Sequence, residues 1–173
     1  MQRTLISHAC LVVVLCLVAG AAIAGECKPI NVRVGASDYL GACSYDPGGG
    51  EMDFEFCIDA PLRGTLRGTW HYYGPADNFV EWSDVVNDPP VFSPFSAGWA
   101  LDVIETNRGE IWAQDNYVFN LNVMGNKAGF PFVAISSITG GTGHYDGAWG
   151  WFGTIADDAG GWRGFMRGEI RTP

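Results

Sequence analysis

Short runs in which apolar and polar residues alternate constrain the fold of this chain more than any other feature. In residues 51–59, Met52, Phe54, Phe56 and Ile58 alternate with mostly acidic residues. Because successive side chains of a strand point to opposite faces, this period of two predicts a strand with one apolar face. Helical periodicity is nearly absent. Comparable runs between turn-forming residues cover 65–73, 99–105, 110–122, 132–138, 145–155 and 162–170, and residues 32–35 fit a short first strand.

The residues between these runs predict hairpins, and therefore antiparallel pairing. Asn107-Arg108-Gly109 predicts a tight turn, and the Thr-Gly-Gly-Thr-Gly run at 139–143 is too rich in glycine for a strand. An antiparallel sheet of seven or eight strands usually closes to hide its edges, so we expect an all-β closed barrel. Residues 74–98 contain four prolines. We expect them to form a binding loop or lid, or to plug one end of the barrel with aromatic side chains.

The first 24 residues have the pattern of a removable signal peptide. Arg3 precedes an apolar run from residue 9 to residue 24, which ends in the small-x-small pattern Ala22-Ile23-Ala24. The run is shorter than the roughly 20 residues of a membrane-spanning helix. Glu26 follows it and disfavours Cys27 as a lipid anchor, so we expect no stable membrane anchor. We predict a secreted or periplasmic protein with a signal peptide at 1–24, an N-terminal segment at 25–50 and the barrel at 51–173.

Charge and cysteine content exclude several classes of partner. The net charge is −9, and it becomes −10 when Arg3 leaves with the signal. Such an acidic domain repels nucleic acids and anionic membrane surfaces. Cys27, Cys43 and Cys57 remain in a compartment that permits disulfides, and we predict a Cys43–Cys57 bridge, although other pairings stay open. No C-x-x-C motif or cluster of His and Cys is present, so we expect no metal site.

One glycine-rich segment resembles a known family. Residues 138–150, Ile-Thr-Gly-Gly-Thr-Gly-His-Tyr-Asp-Gly-Ala-Trp-Gly, are similar to the G-G-T-G-x-[YF]-x-x-A-x-G turn of the allene oxide cyclase and dirigent protein superfamily. The hairpin at 106–111 is similar as well, and the resemblance spans residues 62–170. It implies an eight-stranded antiparallel barrel, often trimeric, with an apolar lumen. It also implies a cofactor-free isomerase or cyclase that acts on an apolar small molecule.

A basic face on the last predicted strand bears on the expected homotrimer. Arg163, Arg167 and Arg171 are in phase on one face of that strand. This face is either solvated or packs against acidic neighbours in a trimer.

Asp115 is the strongest candidate for a catalytic residue. It is in phase with Ile111, Ala113 and Tyr117 and, if the hairpin is regular, it pairs near Leu101. A carboxyl on this apolar face would be desolvated, which raises its pKa into the range that suits general acid or base catalysis. Alternatively, a β-bulge at 114–115 turns the side chain outward, or Asp115 pairs with an arginine. Tyr72 and Tyr117 also lie on apolar faces, and we expect them to hydrogen-bond to a ligand or to the backbone.

Large aromatic residues on the predicted strands could surround a ligand. If they line a cavity, they would bind a flat or apolar small molecule. If they fill the barrel instead, the protein is a non-catalytic or structural barrel. The residues expected to line such a cavity are Trp70, Trp99, Phe119, Phe132, Trp149 and Trp151.

Overall fold

The computed structural model describes residues 25–46, 48–74, 80–81, 95–120, 132–157 and 163–173. The predicted signal peptide and most of the proline-rich segment lie outside the described residues. A one-turn 3-10 helix spans Gly143–Tyr145. The described part of the chain holds no helix long and apolar enough to cross a membrane. The described residues form ten strands: β1 Glu26–Val34, β2 Asp38–Tyr45, β3 Met52–Gly64, β4 Gly68–Gly74, β5 Val80–Glu81, β6 Phe95–Thr106, β7 Gly109–Asn120, β8 Phe132–Gly141, β9 Trp149–Asp157 and β10 Arg163–Thr172.

Eight of these strands form a closed antiparallel barrel, which confirms the predicted fold class. The order around the barrel is β1-β10-β9-β8-β7-β6-β4-β3, and β3 pairs with β1 to complete the ring. Segment 25–50, which the sequence separated from the barrel, supplies β1 and β2. Strand β1 belongs in the ring because Ile30, Val32 and Val34 alternate with exposed residues and are buried.

The closure depends on the length of β3. Its first part pairs with β2 outside the ring, and only its last residues pair with β1, where Val34 lies opposite Leu62 and Val32 opposite Gly64. Gly64 has a φ of 146°, and a Cβ atom at this position would collide with the carbonyl oxygen of Asn31. Glycine therefore allows the two backbones to approach at this seam.

A disulfide attaches β2 to the barrel. Cys43 on β2 is bonded to Cys57 on β3, and Cys27 is a free, exposed thiol. The predicted pairing is confirmed. A disulfide that links an added strand to the ring indicates an oxidising, extracellular type of environment.

The inner face of β6 differs from the sequence prediction. The run at 99–105 was expected to turn Trp99, Leu101 and Val103 inward. Instead Ala100, Asp102 and Ile104 occupy the inner face. Val103 is also buried, at 2% exposed, but it alternates with them on the other face, where Trp99 is 36% exposed. The pairing with β7 determines which residues of β6 face inward, because it places Ile111 opposite Ile104 and Asp115 opposite Ala100.

Candidate functional site

Two aspartates lie inside the barrel on neighbouring strands. Asp102 on β6 and Asp115 on β7 are both 0% exposed. Asp115 is paired with Ala100 and Asp102 with Ala113, so the two aspartates are diagonal neighbours on the inner face. The inward position predicted for Asp115 is confirmed, and its partner is Ala100 and not Leu101. No bulge turns it outward, because the register shift of β7 lies between Trp112 and Ala113.

Asp102 has a hydrogen-bond donor for each carboxylate oxygen. The indole Nε1 of Trp70 on β4 donates to Oδ1 at 2.8 Å, and the hydroxyl of Ser136 on β8 donates to Oδ2 at 2.8 Å. Burial raises the pKa of Asp102 to about 7, against the opposing effect of these two hydrogen bonds. The donors favour the ionised form, so Asp102 is the better place in this pair for a negative charge.

Asp115 has the opposite environment. Neither Oδ1 nor Oδ2 has a hydrogen-bond partner among the described residues, although the side chain is fully buried. Burial and, after it, the negative charge of Asp102 together raise the pKa of Asp115 to about 9. Of two adjacent buried carboxyls, the one without donors keeps the proton. Near neutral pH Asp115 is therefore the protonated member of the pair, and Asp102, with a pKa of about 7, titrates beside it.

Two tyrosines and a phenylalanine adjoin the aspartates. Tyr72 lies directly opposite Asp102 on the inner face, and Tyr117 is two residues from Asp115 on β7. The two hydroxyls are hydrogen-bonded to each other. Burial is the main cause that raises the pKa of both phenols, followed for Tyr72 by the charge of Asp115. Phe132 contacts both rings with centroid distances of 5.9 Å.

A second inward polar group lies on the opposite side of β8. The hydroxyl of Thr154 on β9 is buried and has no hydrogen-bond partner among the described residues. Thr154 lies opposite Ala134, which in turn lies opposite Tyr117. The layer that holds the aspartates and tyrosines thus contains two polar side chains that the described part of the fold leaves unsatisfied.

Only part of the predicted aromatic lining lies inside the barrel. Trp70 and Phe132 are buried in the core. Phe119 belongs to β7, but its side chain lies outside the described part of the structure. The prediction that Trp99, Trp149 and Trp151 line an inner cavity is wrong, because they are 36%, 53% and 49% exposed on the outer face.

The turn after β8 explains the error at the two tryptophans of β9. A short hairpin through the glycine-rich run at 139–143 would pair Phe132 with the region of Trp149 and Trp151, and this pairing underlies the prediction. The one-turn helix Gly143–Tyr145 lengthens the connection, so Phe132 pairs with Ala156 and Trp151 with Ser137. Phe152 then points inward, and Trp149 packs under the guanidinium of Arg171, 4.7 Å from the ring centroid.

Three polar residues of the site, Asp102, Ser136 and Thr154, were not predicted from the sequence. Asp102 lies between Ala100 and Ile104 in phase, which is a weaker apolar signal than that of Trp99, Leu101 and Val103. The alternation in β8, with buried Phe132, Ala134, Ser136 and Ile138, does place Ser136 inward. The inward position of Ser136 could therefore have been predicted from this alternation. The described residues hold no group of three or more His, Cys, Asp or Glu side chains arranged to bind a metal ion.

Comparison of the chain with protein-family models, with curated proteins and with solved structures gave no match. The site is therefore interpreted from its own geometry.

Proposed function

We propose that this protein is an exported barrel that binds an apolar small molecule in its interior and isomerises or cyclises it by proton transfer, without a cofactor. The observation that carries the proposal is the fully buried Asp115 carboxyl, which has no hydrogen-bond partner among the described residues. An unsatisfied buried polar group costs about 1–3 kcal/mol of stability. The packing of the side chain does not offset that cost, whereas a hydrogen bond from the protonated Asp115 carboxyl to a ligand oxygen would offset it.

The neighbouring groups suit such a reaction. Protonated Asp115 gives its proton to a ligand oxygen, and the resulting carboxylate takes a proton from the ligand, so an isomerisation leaves the enzyme unchanged. Ionised Asp102 adds to the effect of burial in raising the pKa of Asp115, and its negative charge stabilises positive charge that develops nearby. The hydroxyls of Tyr72 and Tyr117 supply further hydrogen-bonding groups.

The remaining parts of the proposal come from the sequence. The pattern of the first 24 residues supports export, and the disulfide supports an oxidising compartment. The resemblance of residues 138–150 to the allene oxide cyclase and dirigent superfamily supports the reaction class and a homotrimer. The acidic charge disfavours nucleic-acid partners.

A comparison of retained ligands tests the proposal. The full chain and its Asp115→Asn variant would be expressed in the protein's own host, and the purified proteins examined by native mass spectrometry and chromatography of the extracted ligand. Asparagine is close in shape to protonated aspartic acid but cannot transfer its proton. We expect both proteins to hold molecules of the same mass that differ in retention time, as substrate and product isomers do.

Asn116→Ala, on the outer face of the same strand, is the matched control and should hold the same molecule as the unaltered protein. An identical molecule in all three proteins would overturn the catalytic role. The absence of any retained molecule from all three would overturn binding in the barrel.

A second candidate function is a non-catalytic barrel that binds an apolar ligand or has a structural role. The ring contacts among Tyr72, Tyr117 and Phe132 favour it, because they fill part of the interior beside the aspartates. Identical retained molecules in the unaltered and Asp115→Asn proteins would favour this candidate.

A further inference from the structure

A basic groove lies on the outside of the barrel at the seam between β1, β3 and β10, away from the two aspartates. Its volume is about 560 Å³, which is within the size range of small-molecule sites. Three arginines line it, Arg33, Arg63 and Arg163, together with Asp157 and an apolar wall that includes Phe165 and Pro61. Three guanidinium groups and one carboxylate leave an excess of two positive charges in a chain whose net charge is −9.

The arrangement of the arginines is unfavourable for the fold alone. Arg33 and Arg63 lie directly opposite each other in the β1–β3 pair, and like charges in that position destabilise a sheet. Within the described part of the chain, the ion pairs are formed by other cations, and none involves Arg33, Arg63 or Arg163. Asp157, directly opposite Arg163 in the β9–β10 pair, is the one carboxylate among the residues that line the groove, so the charge of the three arginines is only partly balanced there.

An apolar ring borders the same charges. Phe165 lies directly opposite Arg33 in the β1–β10 pair, and the Arg33 guanidinium lies 5.8 Å from its ring centroid. Arg163 is two residues from Phe165 on the same strand, so it shares this outer face. Guanidinium groups bind phosphate and sulfate oxygens through paired N–H donors, and they stack on aromatic faces.

We infer that this groove binds a small organic anion whose phosphate or sulfate group lies between Arg33, Arg63 and Arg163 and whose apolar part packs on Phe165. A phosphate monoester, with a charge of about −1.5 to −2 at pH 7, balances most of the excess of two positive charges in the groove, and a sulfate monoester, with a single charge, balances about half of it. This site is separate from the barrel interior and does not depend on the proposed function.

Calorimetric titration of the full chain with three probes at low ionic strength tests the inference. The probes are phenyl phosphate, inorganic phosphate and phenol. We expect phenyl phosphate to bind most tightly, inorganic phosphate more weakly, and phenol not measurably. Arg63→Gln and Arg163→Gln should each weaken the binding of phenyl phosphate about tenfold or more, because each removes a charge-assisted hydrogen-bonding group.

Arg67→Gln is the matched control. Arg67 lies between β3 and β4, is exposed and does not line the groove. The variant changes the net charge equally, so binding should change less than twofold. Equal weakening by Arg67→Gln would overturn the inference, since a general charge effect would then explain binding. The failure of phenyl phosphate to bind would also overturn it.

Three further measurements separate binding from folding defects and a small ligand from a larger one. Arg63→Gln should raise the melting temperature in phosphate-free buffer, because it removes the like-charge pair, and phosphate should stabilise it less than the unaltered chain. Phe165→Ala should weaken phenyl phosphate but not inorganic phosphate. Tighter binding of a sulfated polysaccharide, unaffected by Phe165→Ala, would overturn the assignment to a small molecule.

Discussion

Two neighbouring layers of the barrel interior differ in the side chains that fill them. One is the hairpin end, next to the turn between β6 and β7, and the other is the adjacent layer that contains the two aspartates. At the hairpin end the interior is filled by apolar side chains, including Ile104, Ile111, Ile138 and Ile170. The next layer encloses Asp102, Asp115 and Thr154. Burial of apolar area stabilises the hairpin end by about 25 cal/mol per Å². In the adjacent layer, the desolvation of buried polar groups lowers the stability of the fold. The layer with the aspartates therefore lowers the stability of the barrel, and a functional site is expected in a layer of this kind.

The largest predicted effect concerns the apolar end. Ile111→Ala should lower the free energy of unfolding by about 2–5 kcal/mol, because it leaves a cavity opposite Ile104 in a close-packed interior. Ile135→Ala is the matched control, since Ile135 is 61% exposed on the outer face and should change stability by less than about 0.5 kcal/mol. Denaturant unfolding with the disulfide intact measures both. Equal effects would mean that the hairpin end is not the main source of stability.

The two aspartates should respond to substitution with opposite signs. Asp102→Ala leaves the Trp70 indole and the Ser136 hydroxyl without their acceptor, and it should cost about 1–3 kcal/mol. Asp115→Leu removes a carboxyl that has no described partner, and it should stabilise the ligand-free protein by a similar amount. The same unfolding measurement compares them. Destabilisation by Asp115→Leu equal to that of Asp102→Ala would show that Asp115 has a structural role.

A pH dependence follows from the raised pKa values. The native pKa of about 9 for Asp115 and about 7 for Asp102 lie above the value of about 3.9 for an unfolded aspartate. Between these limits the native state binds more protons than the unfolded state. The contribution of the two aspartates to the free energy of unfolding is therefore fully present below about pH 4 and is lost as the pH rises through 7 and 9.

Between pH 7 and pH 9 the unaltered protein should lose up to about 1.4 kcal/mol per pH unit through Asp115. Asp115→Leu should remove this slope, and denaturant midpoints measured across the range test it. An infrared band of a protonated carboxyl at pH 7 that disappears in Asp115→Leu would locate the proton directly. A slope that is the same in both proteins would place the proton elsewhere.

Much of the fold and part of the site could be predicted from local pattern. Alternation places the inward residues of β7 and of most of β3 correctly, because each of these strands has one plainly apolar face, although Met52 at the start of β3 is 41% exposed. In β8 the buried residues also alternate, but Val133 and Ile135 are exposed on its outer face. The same reasoning turned Asp115 inward, whereas the confirmed Cys43–Cys57 pairing was predicted from the glycine-rich loop that it closes. Reasoning from alternation failed in β6 and β9. Both faces of these strands carry large apolar residues, so the pairing with neighbouring strands determines which face points inward. Alternation missed Asp102 for that reason.

By itself the sequence determined that this chain forms strands, since a period of two in side-chain polarity is a local property of the backbone geometry. The tertiary structure decided which strands meet. Closure through the β1–β3 seam brings Arg33 opposite Arg63, and the pairing of β4, β6 and β8 brings Trp70 and Ser136 to Asp102. These contacts join residues at least 30 positions apart in the sequence, and only the packing of the closed barrel sets them.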